Sequence, residues 1–74
     1  MDVEVRLFAG LRKGRFKKQT MSVPDGALLS DVIRLLNINQ DEVSLRLING
    51  HHEPLDHQLG ADDVVSLFPA VAGG

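Results

Sequence analysis

One stretch of this 74-residue chain repeats with a helical period, and the segments on either side of it alternate with period two. Across residues 27–37 the apolar side chains Leu28, Leu29, Val32, Ile33, Leu35 and Leu36 recur three and four positions apart, which gathers them on one side of a short helix. Asp31 falls in the first turn, where a negative charge favours the helix dipole, and Asn37 or Asn39 is suited to a left-handed C-terminal cap. A cap at Ser30 would leave only about two turns, so the start belongs nearer Leu28.

The flanking segments read as strands. In residues 1–8, Val3, Val5 and Leu7 point one way and Asp2, Glu4, Arg6 and Phe8 the other. Residues 9–15, with two glycines and three basic residues, form a turn, and residues 16–23 form a second strand that ends at Pro24-Asp25-Gly26. Residues 43–49 alternate again, with Val43, Leu45 and Leu47 directed inward, and Asn49-Gly50 is a tight-turn dipeptide. A brief strand follows around His52 and Glu53, held to a sheet edge by Pro54. Residues 55–59 suit one helical turn, and residues 64–68 form the last strand, with Val65 and Leu67 inward. A hairpin, one helix across a sheet, and three further strands describe an α+β fold of the β-grasp, or ubiquitin-like, type, with a mixed sheet of four to five strands. The expected core is Val5, Leu7, Val23, Leu29, Val32, Ile33, Leu36, Leu45, Leu47, Leu59, Val65 and Leu67. Residues 1–74 are expected to form one domain, with residues 69–74 as a mobile functional tail.

Composition narrows the function. There is no cysteine, so thiol catalysis, redox switching and Cys-type zinc sites are excluded. No apolar run approaches the roughly 20 residues of a membrane span and no signal peptide is recognisable, so a cytoplasmic location is expected. The net charge of −2 argues against nucleic-acid and membrane partners, yet Arg12, Lys13, Arg15, Lys17 and Lys18 fall within seven positions. No Lys or Arg follows Arg46, whereas Glu53, Asp56, Asp62 and Asp63 do. A basic lobe and an acidic C-terminal half can steer association with a charged partner.

The last six residues, Pro69-Ala70-Val71-Ala72-Gly73-Gly74, carry no charge and end in two residues without a Cβ. A glycine pair can thread a narrow channel that other residues cannot enter, which suits a carboxylate that must reach the nucleotide site of another protein. A frayed terminus is the plainer alternative.

Phe8-Ala9-Gly10-Leu11-Arg12, Ile48-Asn49-Gly50 and the ending at Gly73-Gly74 together resemble segments of the small sulfur-carrier family of the MoaD/ThiS type. Phe8-Ala9-Gly10-Leu11-Arg12 is similar to that family's Phe-Ala-x-Leu-Arg, and Ile48-Asn49-Gly50 to its Val-Asn-Gly turn. Residues 25–32 resemble its turn into the helix, and Phe68-Pro69-Ala70-Val71-Ala72-Gly73-Gly74 its Phe-Pro-Pro-Val-x-Gly-Gly ending. The resemblance covers nearly the whole chain and is nearest to the small subunit of molybdopterin synthase. It departs at Leu28, where a capping Thr is usual, and at Asp62, where the turn has Gly; Asp tolerates the left-handed conformation better than most residues.

The resemblance implies a carrier and co-substrate, not an enzyme. A ubiquitin-activating-type enzyme would use ATP to adenylate Gly74. A sulfurtransferase or persulfide donor would then leave a thiocarboxylate (1-thioglycine) there, with Gly73 and Ala72 needed for activation. The sulfur would pass to a pterin precursor of the molybdenum or tungsten cofactor on the large subunit of molybdopterin synthase. The alternatives are delivery to thiamine thiazole, cysteine or a tRNA base, conjugation of Gly74 to proteins as a modifier, or a plain interaction module. No bound cofactor is expected.

A docking face is expected on the outward side of the sheet, formed by Phe8, Ile48 and Phe68 with Pro69 and Val71, because aromatic residues anchor interfaces. His51, His52 and His57 lie around a turn with Asp56 nearby, but no regular element sets their spacing, so a solvated loop is expected in place of a metal site. Asp62-Asp63 reads as a turn into the last strand.

Overall fold

The computed structural model describes residues 1–70. Its elements are β1 (Asp2–Leu7), β2 (Lys18–Ser22), α1 (Leu29–Leu35), β3 (Val43–Ile48), β4 (His51–His52) and β5 (Val64–Pro69), with short 3-10 turns at Ala9–Arg12 and Gln40–Glu42. The strands form one mixed sheet in the order β2-β1-β5-β3-β4, with α1 packed on one face: the β-grasp arrangement. β5 runs parallel to β1 and antiparallel to β3, so the last strand is the centre of the sheet and is paired on both edges.

Alternation explains the core. Val3, Val5 and Leu7 of β1 and Val65 and Leu67 of β5 are buried, and Leu29, Val32 and Ile33 of α1 close over them. Leu11, Val23, Ala27, Ile38, Val43, Ile48 and Leu59 complete the interior, with Leu36 half-buried against it. No charged or polar residue is buried among the described residues, which suits a small domain in which one unpaired buried charge would cost several kcal/mol, on the order of its whole stability.

The start of α1 solves its capping problem without a hydroxyl at Leu28. The Asp31 carboxylate accepts from the Leu28 N–H (2.8 Å), half of a capping box. The Leu29 and Ser30 N–H groups donate to the carbonyls of His57 and Leu55, both at 2.9 Å. The loop over residues 54–58 thereby satisfies donors that a helix N-terminus leaves open. That loop is a turn at Leu55 and Asp56 followed by a bridge from Gln58 to Leu28, in place of the expected helical turn. At the other end Asn37 is left-handed (φ 57°), as anticipated for a C-terminal cap. Asn49 and Gly50 both have positive φ (53° and 84°), the signature of a two-residue type I′ hairpin turn. Asp62 adopts φ 66°, which explains why glycine suits that position and why Asp can occupy it.

One strand departs from expectation on the face where docking residues were expected. The β3–β5 register shifts between Val43 and Leu45, and the irregularity inverts the alternation that begins at Val43. Beyond it Leu45 lies opposite Phe68, Leu47 opposite Ser66 and Ile48 opposite Val65. Residues directly opposite in a sheet share a face. Ile48 is therefore in the core at 4% exposure, whereas Leu45 is 38% exposed and Leu47 half-buried on the outer side. The expectations for Ile48, Leu45 and Leu47 are all reversed by that single irregularity.

Candidate functional site

The parallel pairing of β1 with β5 sets Leu7 beside Leu67, so the residues that follow each of them, Phe8 and Phe68, come side by side on the outer face. Their rings stack with centroids 4.1 Å apart and planes 10° from parallel. The backbone holds the junction, because the Phe8 N–H donates to the Leu67 carbonyl at 3.2 Å. Arg12 comes next: its guanidinium lies 5.4 Å from the centroid of Phe8, and its Nε donates to the Leu7 carbonyl at 2.7 Å. The 3-10 turn at Ala9–Arg12 makes this possible by folding Arg12 back over β1 while burying Leu11. The result is an ordered stack that ends in a cation, in which the hydrogen bond to Leu7 sets the place of the arginine.

Leu45 and Leu47 extend this stack into an apolar strip across β3, facing Phe68 and Ser66. Phe8 and Phe68, expected on a docking face, thus stand on the outer side of the sheet where alternation placed them. Ile48 belongs to the opposite face, and Leu45 and Leu47 stand on the outer face in its stead. Nothing in Val43-Ser44 marks the irregularity, since neither residue is glycine or proline, so these two leucines had no local signal.

The root of the tail is anchored to the start of β3 and the turn before it. Pro69 lies opposite Val43 and its carbonyl accepts from the Ser44 hydroxyl at 2.9 Å, while the Ala70 N–H donates to the Glu42 carbonyl at 3.0 Å. Gly10, Leu11, Lys13, Arg15 and Glu42 surround Pro69 and Ala70 in a shallow concavity. The expected site residues Val71, Ala72, Gly73 and Gly74 lie outside the described residues.

Asp62-Asp63 and Arg15 have structural roles. Asp63 accepts from the Asn49 side chain (2.9 Å) and the Gly60 N–H (2.7 Å), and Asn49 in turn accepts from the Val64 N–H (2.9 Å), so Asp62-Asp63 is a locked turn into β5. Arg15 fastens the basic loop to the end of α1 by donating to the carbonyls of Leu36 and Asn37, both at 3.3 Å. His51 and His52 are exposed on β4, and His57 sits 3.7 Å from Glu53. Among the described residues no three His, Cys, Asp or Glu side chains converge as a metal site, and no helix is long and apolar enough to cross a membrane.

A model of the ThiS family matches residues 5–74 of the sequence, from β1 through the final glycine. The chain belongs to the ThiS family. It is thus a ubiquitin-like carrier of the MoaD/ThiS type, in keeping with the sheet, the helix and the Gly-Gly ending. Among solved structures, this ThiS-family chain is similar to a Pyrococcus furiosus protein assigned as molybdopterin converting factor subunit 1: 26% identity over 96% of this chain and 99% of that one, TM-score 0.80. It is similar to a protein in the complex of subunits 1 and 2 of the molybdopterin-converting factor from Helicobacter pylori, at 28% identity over all of both chains and TM-score 0.67. SAMP1 from Haloferax volcanii shares the fold at 24% identity over all of both chains, TM-score 0.79. Comparison with curated protein sequences returns no match.

Proposed function

We propose that this ThiS-family chain carries sulfur on the carboxylate of Gly74 and delivers it in the synthesis of a molybdopterin-type cofactor. The observation that carries the reading is the position of the tail root. β5, fixed at the centre of the sheet, ends at Pro69 beside the Phe8–Phe68 stack and the exposed Leu45. A partner that grips this apolar strip receives the tail at a set distance from its own reacting groups, which replaces a search in solution by a positioned encounter. The similarity to a molybdopterin converting factor subunit, and to one found in complex with its second subunit, supports that branch and a large-subunit partner.

The chemistry on this reading takes place in trans. An adenylating enzyme lets an oxygen of the Gly74 carboxylate attack the α-phosphorus of ATP, and pyrophosphate leaves. The terminal sulfur of a persulfide then attacks the acyl carbon as AMP leaves. Cleavage of the S–S bond by a second thiol releases the thiocarboxylate. The absence of cysteine is consistent with this role, since no side-chain thiol competes for the activated acyl group. The chain is a co-substrate here, and it is the partners that supply the nucleophile, base and nucleotide site. The likeness to SAMP1 supports a second reading, conjugation of Gly74 to protein amines.

Intact mass after incubation with ATP, the organism's adenylating enzyme and a persulfide donor tests the proposal. A gain of about 16 Da, oxygen replaced by sulfur, is expected. Covalent ladders on other proteins would favour the modifier, and an unchanged mass with no ladders would refute both readings.

A further inference from the structure

We propose that the flank of the sheet formed by β1, β2 and the loop between them is an acid-recognition sector. It fits a protein partner whose apolar docking pocket is bordered by carboxylates on that side only. The proposal deepens the carrier reading and rests on it for the identity of the partners.

Arg6, Arg12, Lys17 and Lys18 line one shallow concavity together with Phe8, on the same outer face as the apolar strip. Register makes this placement costly. Lys18 lies directly opposite Arg6 in the antiparallel β1–β2 pair, and like charges facing each other across a ladder destabilise it. Glu4 relieves part of the repulsion by accepting from Arg6, but among the described residues Lys17 and Lys18 make no ion pair. Thr or Val at position 18 would suit an edge strand without repulsion, so the lysine there opposes local stability. The opposite flank carries His51 and His52, so the strip is bordered by strong cations on one side alone. Such one-sided charge orients a partner as well as attracting it. A protein fits better than a nucleic acid because the cations adjoin Phe8, which stacks on Phe68 of the apolar strip, because Glu4 pairs with Arg6 among them, and because the net charge is −2.

The test measures association with the organism's adenylating enzyme and large synthase subunit by stopped flow, at low and high ionic strength. It compares the unmodified chain, Lys18→Thr and a Lys17→Glu/Lys18→Glu double variant. The thermal midpoint is recorded for each. Lys18→Thr is expected to unfold at a higher temperature and yet bind more slowly. The double variant should associate about tenfold more slowly at low salt and lose most of its salt dependence. Equal association rates for all three proteins, or no binding by the unmodified chain, would overturn the sector. So would binding of a single-stranded RNA oligonucleotide that disappears in the double variant while protein association is unaffected. The sulfur-loading mass measured on the unmodified chain reports separately on the carrier reading. A mass gain with equal association rates refutes the sector alone, and salt-dependent binding without a mass gain refutes carriage alone.

Discussion

Truncating Ile48 and Phe68 separates the two faces of the sheet, because the irregularity in β3 turned Ile48 into the core while Phe68 stayed on the outer face. Ile48 is 4% exposed and faces Val65, itself fully buried. Ile48→Ala therefore removes three buried carbons and leaves a void, at a cost of about 3 kcal/mol. A chain of this length has roughly 4–11 kcal/mol of stability in all, and each kcal/mol moves the midpoint by about 4–8 °C, so a fall of about 12–24 °C is expected. Phe68 is half-buried, and its ring stacks on Phe8. Loss of that stack and of its partial burial costs about 1.5 kcal/mol, or roughly 6–12 °C. Binding should show the reverse order. A central aromatic at an interface is worth about 2 kcal/mol or more, so Phe68→Ala is expected to weaken association with the large subunit about 30-fold, whereas Ile48→Ala measured well below its midpoint changes it little. The chain has no Trp or Tyr, so unfolding is followed by far-ultraviolet circular dichroism and binding by calorimetry. If Ile48→Ala weakens binding strongly while keeping its midpoint, or if Phe68→Ala unfolds at the lower temperature of the two, the assignment of faces is wrong.

Three further outcomes are expected. Appending one alanine after Gly74, or deleting Gly74, should abolish the mass gain on sulfur loading and leave the thermal midpoint within a degree or so, since the core residues from Val3 to Leu67 are untouched; retained loading would refute the role of that carboxylate. Asp62→Gly should raise stability by about 0.5–1 kcal/mol in urea unfolding, because Asp62 holds φ 66° and glycine adopts that conformation without steric cost. Asn49→Gly keeps the positive φ of the hairpin but deletes the bridge to Asp63 and the acceptor for Val64, and should cost about 1–3 kcal/mol, with faster hydrogen exchange at the Val64 amide as the local readout.

The alternating and helical periods, the turn dipeptides and the Gly-Gly ending were all legible in the sequence, because each reflects a constraint local to a few residues. Val3, Val5 and Leu7 had to share one side of β1, Asn49-Gly50 had to turn, and Asp62 could be anticipated as left-handed. The inward direction of Leu67, and with it the outward direction of Phe68, followed from the same alternation. The face of β3 did not follow, since the break between Val43 and Leu45 is set by how β3 meets β5 and by Ser44 reaching the Pro69 carbonyl, 25 positions away in sequence. The Phe8–Phe68 stack, the arginine over it and the lysine set against Arg6 are likewise products of strand pairing. Local sequence determined which elements form and what the tail can offer chemically. Only the tertiary structure decided which side chains that tail leaves beside, because strand register is a contact between distant parts of the chain that no local period encodes.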